Sequence, residues 1–519
     1  MKMILLDRPT EREITAILFH IQRGMLRMSG LNSLPRSLPE ELSIPSRAVA
    51  DFVKAVEARE LELHSFMLLR HGRVAAQGWW RPYRADLPHM LYSLSKSFTS
   101  TAIGMAVSEG LLSVDDQVVS FFPNDLPGEP DAHMALMRVR HLLTMTTGHG
   151  NDAMSGMSAT HPQHLVRGFL HSAVEFEPGA HFSYNNGATY MLSAIVQQVS
   201  GQTLFDYLQP RLFQPLGIVG AAWTKCSRGV NMGAFGLSLK TEDIAKFGQL
   251  YLQNGVWDGN RILSESWIAE AVSPFLPVKS GSDSDWEQGY GYQFWRCRHR
   301  AYRGDGAFGQ YCVVMPEQDA VLAITAGVSN LQAVLDCVWE FLLPAIGTAK
   351  TDSLSSDEEA TQAALRQQLE ALVLLPPGTQ AGSARADHVQ AQYPSGARYE
   401  MEENADRVHA IQFEFQADGR CLFTQWDGQG EHRVSVGHEE WVENESGTQI
   451  EPYASRIVAS GTWQDAGTFI MTWRFVETPY VKTMHCFFVE DAILIKSSLN
   501  VSFGPTELPA MKGKMKSSV

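Results

Sequence analysis

The sequence predicts an α+β protein: an antiparallel sheet flanked by helices with a helical subdomain, then a C-terminal all-β barrel-like or sandwich domain. Three observations predict it. Strand-like runs lie on both sides of a helical middle, which implies one antiparallel sheet carrying helices on its faces. The composition breaks at Thr348–Pro377, where a polar Ser/Asp/Glu start leads into a helical pattern. Beyond Gly382, short alternating runs recur with turn residues between them, the signature of a small barrel or sandwich.

The elements follow in order. Residues 1–47 read as an N-terminal extension, and 48–347 as the sheet-and-helix domain with a helical insertion at about 111–250. That domain opens with a helix at Ala48–Glu60 and strands at Ser65–Leu69 and Val74–Trp80. A buried helix of small and apolar residues then runs through Ser97–Val107 and ends at Gly110, and another spans Tyr190–Val199. Strands are expected at Tyr290–Trp295, Tyr311–Met315 and Val321–Ala326, and a closing helix at Asn330–Leu342. A helical linker occupies 348–381, its helix at Asp357–Leu372 started by a Ser356/Glu359 capping box. The β domain, 382–519, has runs at Arg398–Met401, Ala410–Phe415, Arg420–Gln425, Arg433–Val436, Arg456–Trp463, Thr468–Phe475, Lys482–Val489 and Ala492–Leu499. Its Trp426, Trp441, Trp463 and Trp473 read as barrel core rather than a carbohydrate platform. Trp79-Trp80 either walls a pocket or sends one ring to each side of its strand.

Ser93 and Lys96 carry the first chemical signal. They stand three apart at a helix start, so both side chains share a face and the amine can reach the hydroxyl and take its proton. A serine is a poor nucleophile at neutral pH without an adjacent base, and a lysine held neutral by burial or cationic neighbours can serve. At that position the helix dipole favours negative charge, and the Ser93 N–H is available to an oxyanion. An exposed helical pair has the same spacing, but no other lysine in the chain has a serine three residues before it.

A second signal is the turn-rich Gly179–Gly187 segment. Of 14 tyrosines only Tyr184 has an asparagine, Asn186, two positions later. A tyrosine hydroxyl beside a lysine ammonium is expected to lose its proton more easily and to shuttle it, while the asparagine amide holds both lysine and substrate. An ordinary turn with a solvated Asn pair has the same sequence. The third signal is glycine-rich and runs into an apolar strand: Arg303-Gly304-Asp305-Gly306-Ala307-Phe308-Gly309. Such glycines mark a bulge or a close approach of backbone to ligand, with Ala307 N–H as a second oxyanion donor; a plain hairpin turn looks similar.

Taken in order, these residues resemble the serine β-lactamase and penicillin-binding-protein superfamily, in its class C β-lactamase-like branch of esterases, D-amino-acid peptidases and short-amide hydrolases. Ser93/Lys96, Tyr184/Asn186 and Gly304-Asp305-Gly306 match its Ser-x-x-Lys, Tyr-x-Asn and Lys/His-x-Gly signatures. Arg140–Gly148, Phe176–Gly179, Gln214–Gly217 and Gly236–Gly248 are similar to stretches typical of that branch, and the resemblance spans about 48–346. It implies a β-lactamase/transpeptidase-like fold and a cofactor-free serine hydrolase with Ser93 as nucleophile, Lys96 as base, Tyr184 as proton relay and Asn186 as positioning group. Oxyanion and substrate contacts would come from Ser93, Ala307, Gly306, Gly304 and Asp305. The departure is Gly304, where lactamases place a cation for the substrate carboxylate; Arg303 is expected on the opposite face of the strand. A small neutral ester or amide is therefore favoured, carboxylesterase-like cleavage first, with a D-amino-acid peptidase or amidase, or a β-lactamase or penicillin-binding enzyme, as alternatives, and a binding or sensor module as the non-enzymatic one.

Composition sets the remaining bounds. The chain has 519 residues, 44% hydrophobic and 19% charged, long enough for roughly three structural units. A formal charge of −15 argues against nucleic-acid partners, and the Lys512, Lys514, Lys516 tail reads as solvated. The first 30 residues show no signal-peptide core, and no run approaches the ~20 apolar residues of a membrane span. Six scattered cysteines read as reduced, mostly core thiols, which points to the cytoplasm. The 17 histidines form no metal-binding spacing, so no metal is expected. The partner is a small-molecule ester, amide or lactam; the sequence specifies no oligomeric state.

Overall fold

Leu63–Arg70 (β1) and Arg73–Trp79 (β2) form a hairpin that begins the main sheet. Trp295–Arg296 (β3), Tyr302–Gly306 (β4), Gln310–Met315 (β5) and Ala320–Ala326 (β6) complete it in the order β2-β1-β6-β5-β4-β3, antiparallel throughout. The computed structural model describes residues 33–275, 282–349, 356–379, 395–444 and 456–516.

Alternation along the strands feeds two cores. Phe66, Leu68, Val313, Leu322 and Ile324 face Ser46–Ala58 (α1) and the helix Leu331–Cys337. Helix α1 presents Val49, Phe52, Val53 and Val56 as one apolar stripe. Each such fully buried Val or Phe contributes about 1.5–3 kcal/mol of transfer free energy. Met67, Leu69, Val314, Val321 and Ala323 face the helical layer instead. There Ser95–Ser108 (α2) is buried on nearly every side, because its residues are small or apolar all round. Its hydroxyls reach segments distant in sequence: Ser97 Oγ donates to the Gln293 carbonyl at 2.8 Å and Thr99 Oγ1 to that of Gly233 at 2.9 Å. Asn186–Ser200 (α3) packs across α2.

The C-terminal strands close into a nine-stranded barrel. Antiparallel pairing runs from Gly430–His438 round to Ile457–Trp463, and those two strands meet in parallel at Gly437/Ser460 and His438/Gly461. Val442–Asn444 lies alongside Ile457–Ala459. Phe413, Phe423, Trp463, Phe469, Trp473 and Phe488 fill the interior. The barrel docks on the sheet domain through a small apolar cluster of Tyr83, Leu87, Val458 and Val476 and through polar contacts. Arg474 grips the Glu62 carboxylate with Nη1 and Nη2 at 2.7 and 3.3 Å, Met90 N–H donates to the Glu477 carbonyl at 2.8 Å, and Asn500 Nδ2 donates to the Gly327 carbonyl at 3.2 Å.

Several sequence expectations need correction. Tyr290–Trp295 is not a strand: Gly289 and Gln293 adopt positive φ and turn the chain, leaving one bridge between Tyr290 and Trp295 ahead of the two-residue β3. The Lys512, Lys514, Lys516 tail is solvated as expected, but its first two lysines are carried on a strand. Met511–Met515 pairs with Arg398–Met401 and with Ala492–Ile495; Lys512 and Lys514 point to solvent while Met511 and Gly513 face in. Of the four C-terminal tryptophans only Trp463 and Trp473 lie in the barrel core. Arg398 covers Trp426, and Trp441 packs at the seam, donating to the Leu374 carbonyl at 2.7 Å. The expectation about a leader in the first 30 residues and the linker boundary at 381/382 lie outside the described residues. Among the described residues no helix is long and apolar enough to cross a membrane, and no group of three or more His, Cys, Asp or Glu could hold a metal. None of the six cysteines forms a disulfide, and five are buried.

Candidate active site

The turn Tyr92–Leu94 delivers Ser93 just ahead of α2, and the first turn of α2 brings Lys96 beneath it. Lys96 is buried, and its Nζ has three oxygen neighbours: Ser93 Oγ at 3.1 Å, Asn186 Oδ1 at 2.7 Å and the Ala234 carbonyl at 3.0 Å. Burial disfavours the ammonium and outweighs the attraction of Asp152 and Asp305, lowering the Lys96 pKa to about 7.

The two asparagines have separate roles. Asn185 caps α3, its Oδ1 accepting from Ala188 N–H at 3.2 Å and from Ala153 N–H at 3.1 Å; it is fully buried, unlike a solvated turn residue. Asn186 turns to Lys96, and Asp152 holds it: Asn186 Nδ2 and N–H donate to Asp152 Oδ2 and Oδ1 at 2.7 and 2.8 Å. Tyr184 precedes the cap. Its ring lies 4.7 Å from Lys96 Nζ and stacks on Trp295 at 5.8 Å, and it lines the same cavity as Ser93. The expectation of an easily ionised tyrosine is overturned. Burial, reinforced by the nearby Asp305 carboxylate, raises the Tyr184 pKa above the usual tyrosine range, the opposite direction to that expectation.

The glycine-rich segment forms β4 and the turn after it. A Cβ on Gly306 would stand 2.0 Å from the Leu91 carbonyl oxygen, and one on Gly304 would be 2.5 Å from both Leu94 Cδ1 and Ser97 Oγ. These glycines press β4 directly onto the turn and helix that carry Ser93 and Lys96. Gly304 therefore does not face the substrate side as expected: that position has no room for a gripping cation, because α2 fills it. Arg303 lies on the other face of β4, fully buried, with Nε donating to Asp305 Oδ2 at 2.9 Å and Nη1 to the Asp285 carbonyl at 2.9 Å. Burial raises the Asp305 pKa despite that pairing.

These parts border one cavity of about 880 Å³. Ser93, Tyr184, Asn186, Asp305, Gly306 and Ala307 reach it; Gly304, Trp79 and Trp80 do not. Sequence reasoning missed Asp152, Trp286 and Trp295, and the barrel residues Tyr480, Leu499, Ser502 and Phe503 that also line the cavity. Asp152 was legible only as the cap of the helix Ala153–Thr160, where it accepts from Met154 N–H at 3.1 Å. The barrel residues gave no local signal.

A model of the Beta-lactamase family matches residues 50–333. The chain is 24% identical over 307 residues to 6-aminohexanoate-dimer hydrolase of Paenarthrobacter ureafaciens, covering 55% of this chain and 78% of that protein. It is 27% identical over 199 residues to Esterase EstB of Burkholderia gladioli, covering 34% and 50%, and 26% identical over 201 residues to D-aminopeptidase of Brucella anthropi, covering 37% and 35%. The chain thus spans half or less of the length of the last two. A solved structure of a putative 6-aminohexanoate-dimer hydrolase from Bacillus anthracis aligns with TM-score 0.47 at 17% identity, over 64% of this chain and 86% of that one. A family model that covers more than half of the sequence, including Ser93, Lys96, Tyr184 and Asn186, settles its kinship: the chain belongs to the Beta-lactamase family of serine hydrolases.

Proposed function

We propose that the protein hydrolyses a small, uncharged ester through a covalent acyl-enzyme on Ser93. The observation that carries this reading is the set of three oxygens around Lys96 Nζ. A neutral amine has two N–H groups and one lone pair. Asn186 Oδ1 and the Ala234 carbonyl can only accept, so they take the two N–H groups and leave the lone pair for the Ser93 O–H. With a pKa of about 7, Lys96 is half neutral near physiological pH, which suits a general base.

In this mechanism Ser93 Oγ bonds to the substrate carbonyl carbon as its proton passes to Lys96, and the N–H groups of Ser93 and Ala307 hold the oxyanion. Tyr184, protonated at rest, gives its proton to the departing alkoxide and is reprotonated from Lys96. Deacylation runs the relay backwards, a water losing its proton as it displaces Ser93 Oγ from the acyl carbon. Asn186, fixed by Asp152, positions Lys96 and the substrate.

The uncharged substrate follows from the cavity wall, which contains no lysine or arginine among the described residues and has Asp305 as its charged lining residue. A substrate carboxylate, as in a penicillin, finds no cation there. Asp305 favours one second reading, an amide whose acyl part carries a free amine, and the names of the hydrolase and D-aminopeptidase relatives agree with amide cleavage. Intact mass spectrometry after brief exposure to a small activated ester, a D-amino-acid anilide and a penicillin tests these readings. An acyl adduct or turnover with the ester that disappears in Ser93→Ala is expected; a penicillin adduct more persistent than the ester's would overturn the substrate preference.

A further inference from the structure

The barrel supplies part of the cavity wall. Tyr480, Leu499, Ser502 and Phe503 from the barrel face Tyr92, Ser93 and Ala307 from the sheet domain. Four rings pack together, Tyr92, Tyr480 and Phe503 lining the cavity and Phe308 buried against all three. Tyr92 meets Phe308 edge-on at 5.5 Å, both meet Phe503 (5.7 and 4.8 Å), and both meet Tyr480 (6.4 and 5.9 Å).

Two of these rings are held at a conformational cost. Tyr92 and Phe308 adopt positive φ of 48° and 66°, a region unfavourable for any residue with a side chain. They adjoin Ser93 and Ala307, so the strained backbone at the nucleophile and at the oxyanion donor also aims the two rings at the barrel. The barrel side is braced. The Tyr92 hydroxyl donates to that of Tyr480 at 2.7 Å, and Asn500 Nδ2 donates to the Pro479 and Gly327 carbonyls at 2.9 and 3.2 Å. Phe503, three residues on, is 75% exposed although it touches two aromatic rings. Phe503 lines the same cavity as Ser93, so its exposed face borders the space where a substrate would sit.

We infer that Tyr92, Tyr480 and Phe503, backed by buried Phe308, form a subsite for a bulky apolar, preferably aromatic, substituent of the substrate, and that the barrel is thereby a specificity element of the hydrolase. The inference rests on the acyl-enzyme reading of Ser93. Rings in this arrangement accept a further ring edge-on, and each methylene buried against them is worth about fourfold in kcat/KM.

The test uses the full chain with two ester series, one lengthening the acyl group from acetyl to octanoyl and phenylacetyl, the other the alcohol from ethyl to benzyl. In at least one series the wild type should gain severalfold with size. Phe503→Ala should lower the ratio of large-substrate to small-substrate kcat/KM about tenfold, and Phe503→Trp should restore it. Labelling of Ser93 by a small phosphonylating reagent, run in parallel, separates the two layers of inference. Absence of Ser93 labelling in the wild type would remove the mechanism and the subsite together. Labelling with no size preference, or a Phe503→Ala ratio equal to the wild type in both series, would overturn the aromatic subsite alone.

Discussion

Asp152 holds Asn186 at two points, accepting from its side-chain amide at 2.7 Å and its backbone N–H at 2.8 Å, and so fixes the oxygen that Lys96 donates to. Removing that carboxylate has two separable effects. Its charge favours the Lys96 ammonium, so Asp152→Asn should move the acidic limb of the kcat/KM profile to lower pH. Asp152→Ala also releases the Asn186 amide, and a misplaced base should lower kcat on the order of 10²-fold. Ester hydrolysis across pH 5 to 9 distinguishes the two; an unmoved limb in Asp152→Asn would remove Asp152 from the electrostatics of the base.

The wild-type profile should itself rise through a midpoint of about 7, where buried Lys96 becomes neutral, and then stay level. Tyr184 adds no alkaline limb in the ordinary tyrosine range, since burial and Asp305 raise its pKa well above that range. Lys96→Arg keeps the charge, but a guanidinium does not give up a proton in this window and so offers no free base, and activity should be lost at every pH within it.

Tyr184→Phe should leave the cavity shape intact while removing the relay. A fall in kcat of roughly 10²–10⁴-fold is expected, the range for a lost general acid–base group. Stopped-flow release of the alcohol would show which step slows. A variant within threefold of the wild type in both steps would exclude the phenol from proton transfer.

Gly306→Ala tests the close approach of β4 to the Leu91 carbonyl. The added methyl falls on main-chain oxygen, which cannot swing away as a side chain can. Overpacking of this kind costs about 1–3 kcal/mol, and the displaced Ala307 should lower activity more than stability. A thermal melt and an ester assay on the same preparation read both.

The seam between sheet domain and barrel should be acid-sensitive. Burial raises the Glu62 pKa, but Arg474 and His64 outweigh it and bring it to about 2. A depressed carboxylate stabilises the fold above its unfolded pKa, near 4.3, and that contribution fades as pH falls towards 2. Limited proteolysis between pH 5 and 2 should therefore find the barrel released before the sheet domain unfolds, and Arg474→Met should bring release to neutral pH.

Much of the catalytic half was readable because its signals are local. Ser93/Lys96 is a three-residue spacing on a helix, and α2 reads as buried because nearly every residue in it is small or apolar. The main strands were visible as apolar runs; the Tyr290–Trp295 segment was not, because Gln293 takes a positive φ that its residue type does not announce. Gly304 was misread for a related reason. A strand pattern assigns alternate faces but cannot say which face α2 fills. The Tyr184 ionisation failed because proximity to Lys96 was weighed without burial, which dominates both groups. Asp152 and the barrel's contribution were invisible, since each acts across more than thirty residues of sequence and only the tertiary contact joins them.

The pairing of Met511–Met515 with Arg398–Met401 has a consequence for the order of events during synthesis. Every strand of the main sheet has been synthesised once Ala326 is made, and N-terminal units fold first as the chain emerges. The barrel cannot close its ring until its last strand exists. The Ser93/Lys96 pair can therefore come together on a nascent chain whose cavity still lacks the wall that the barrel supplies.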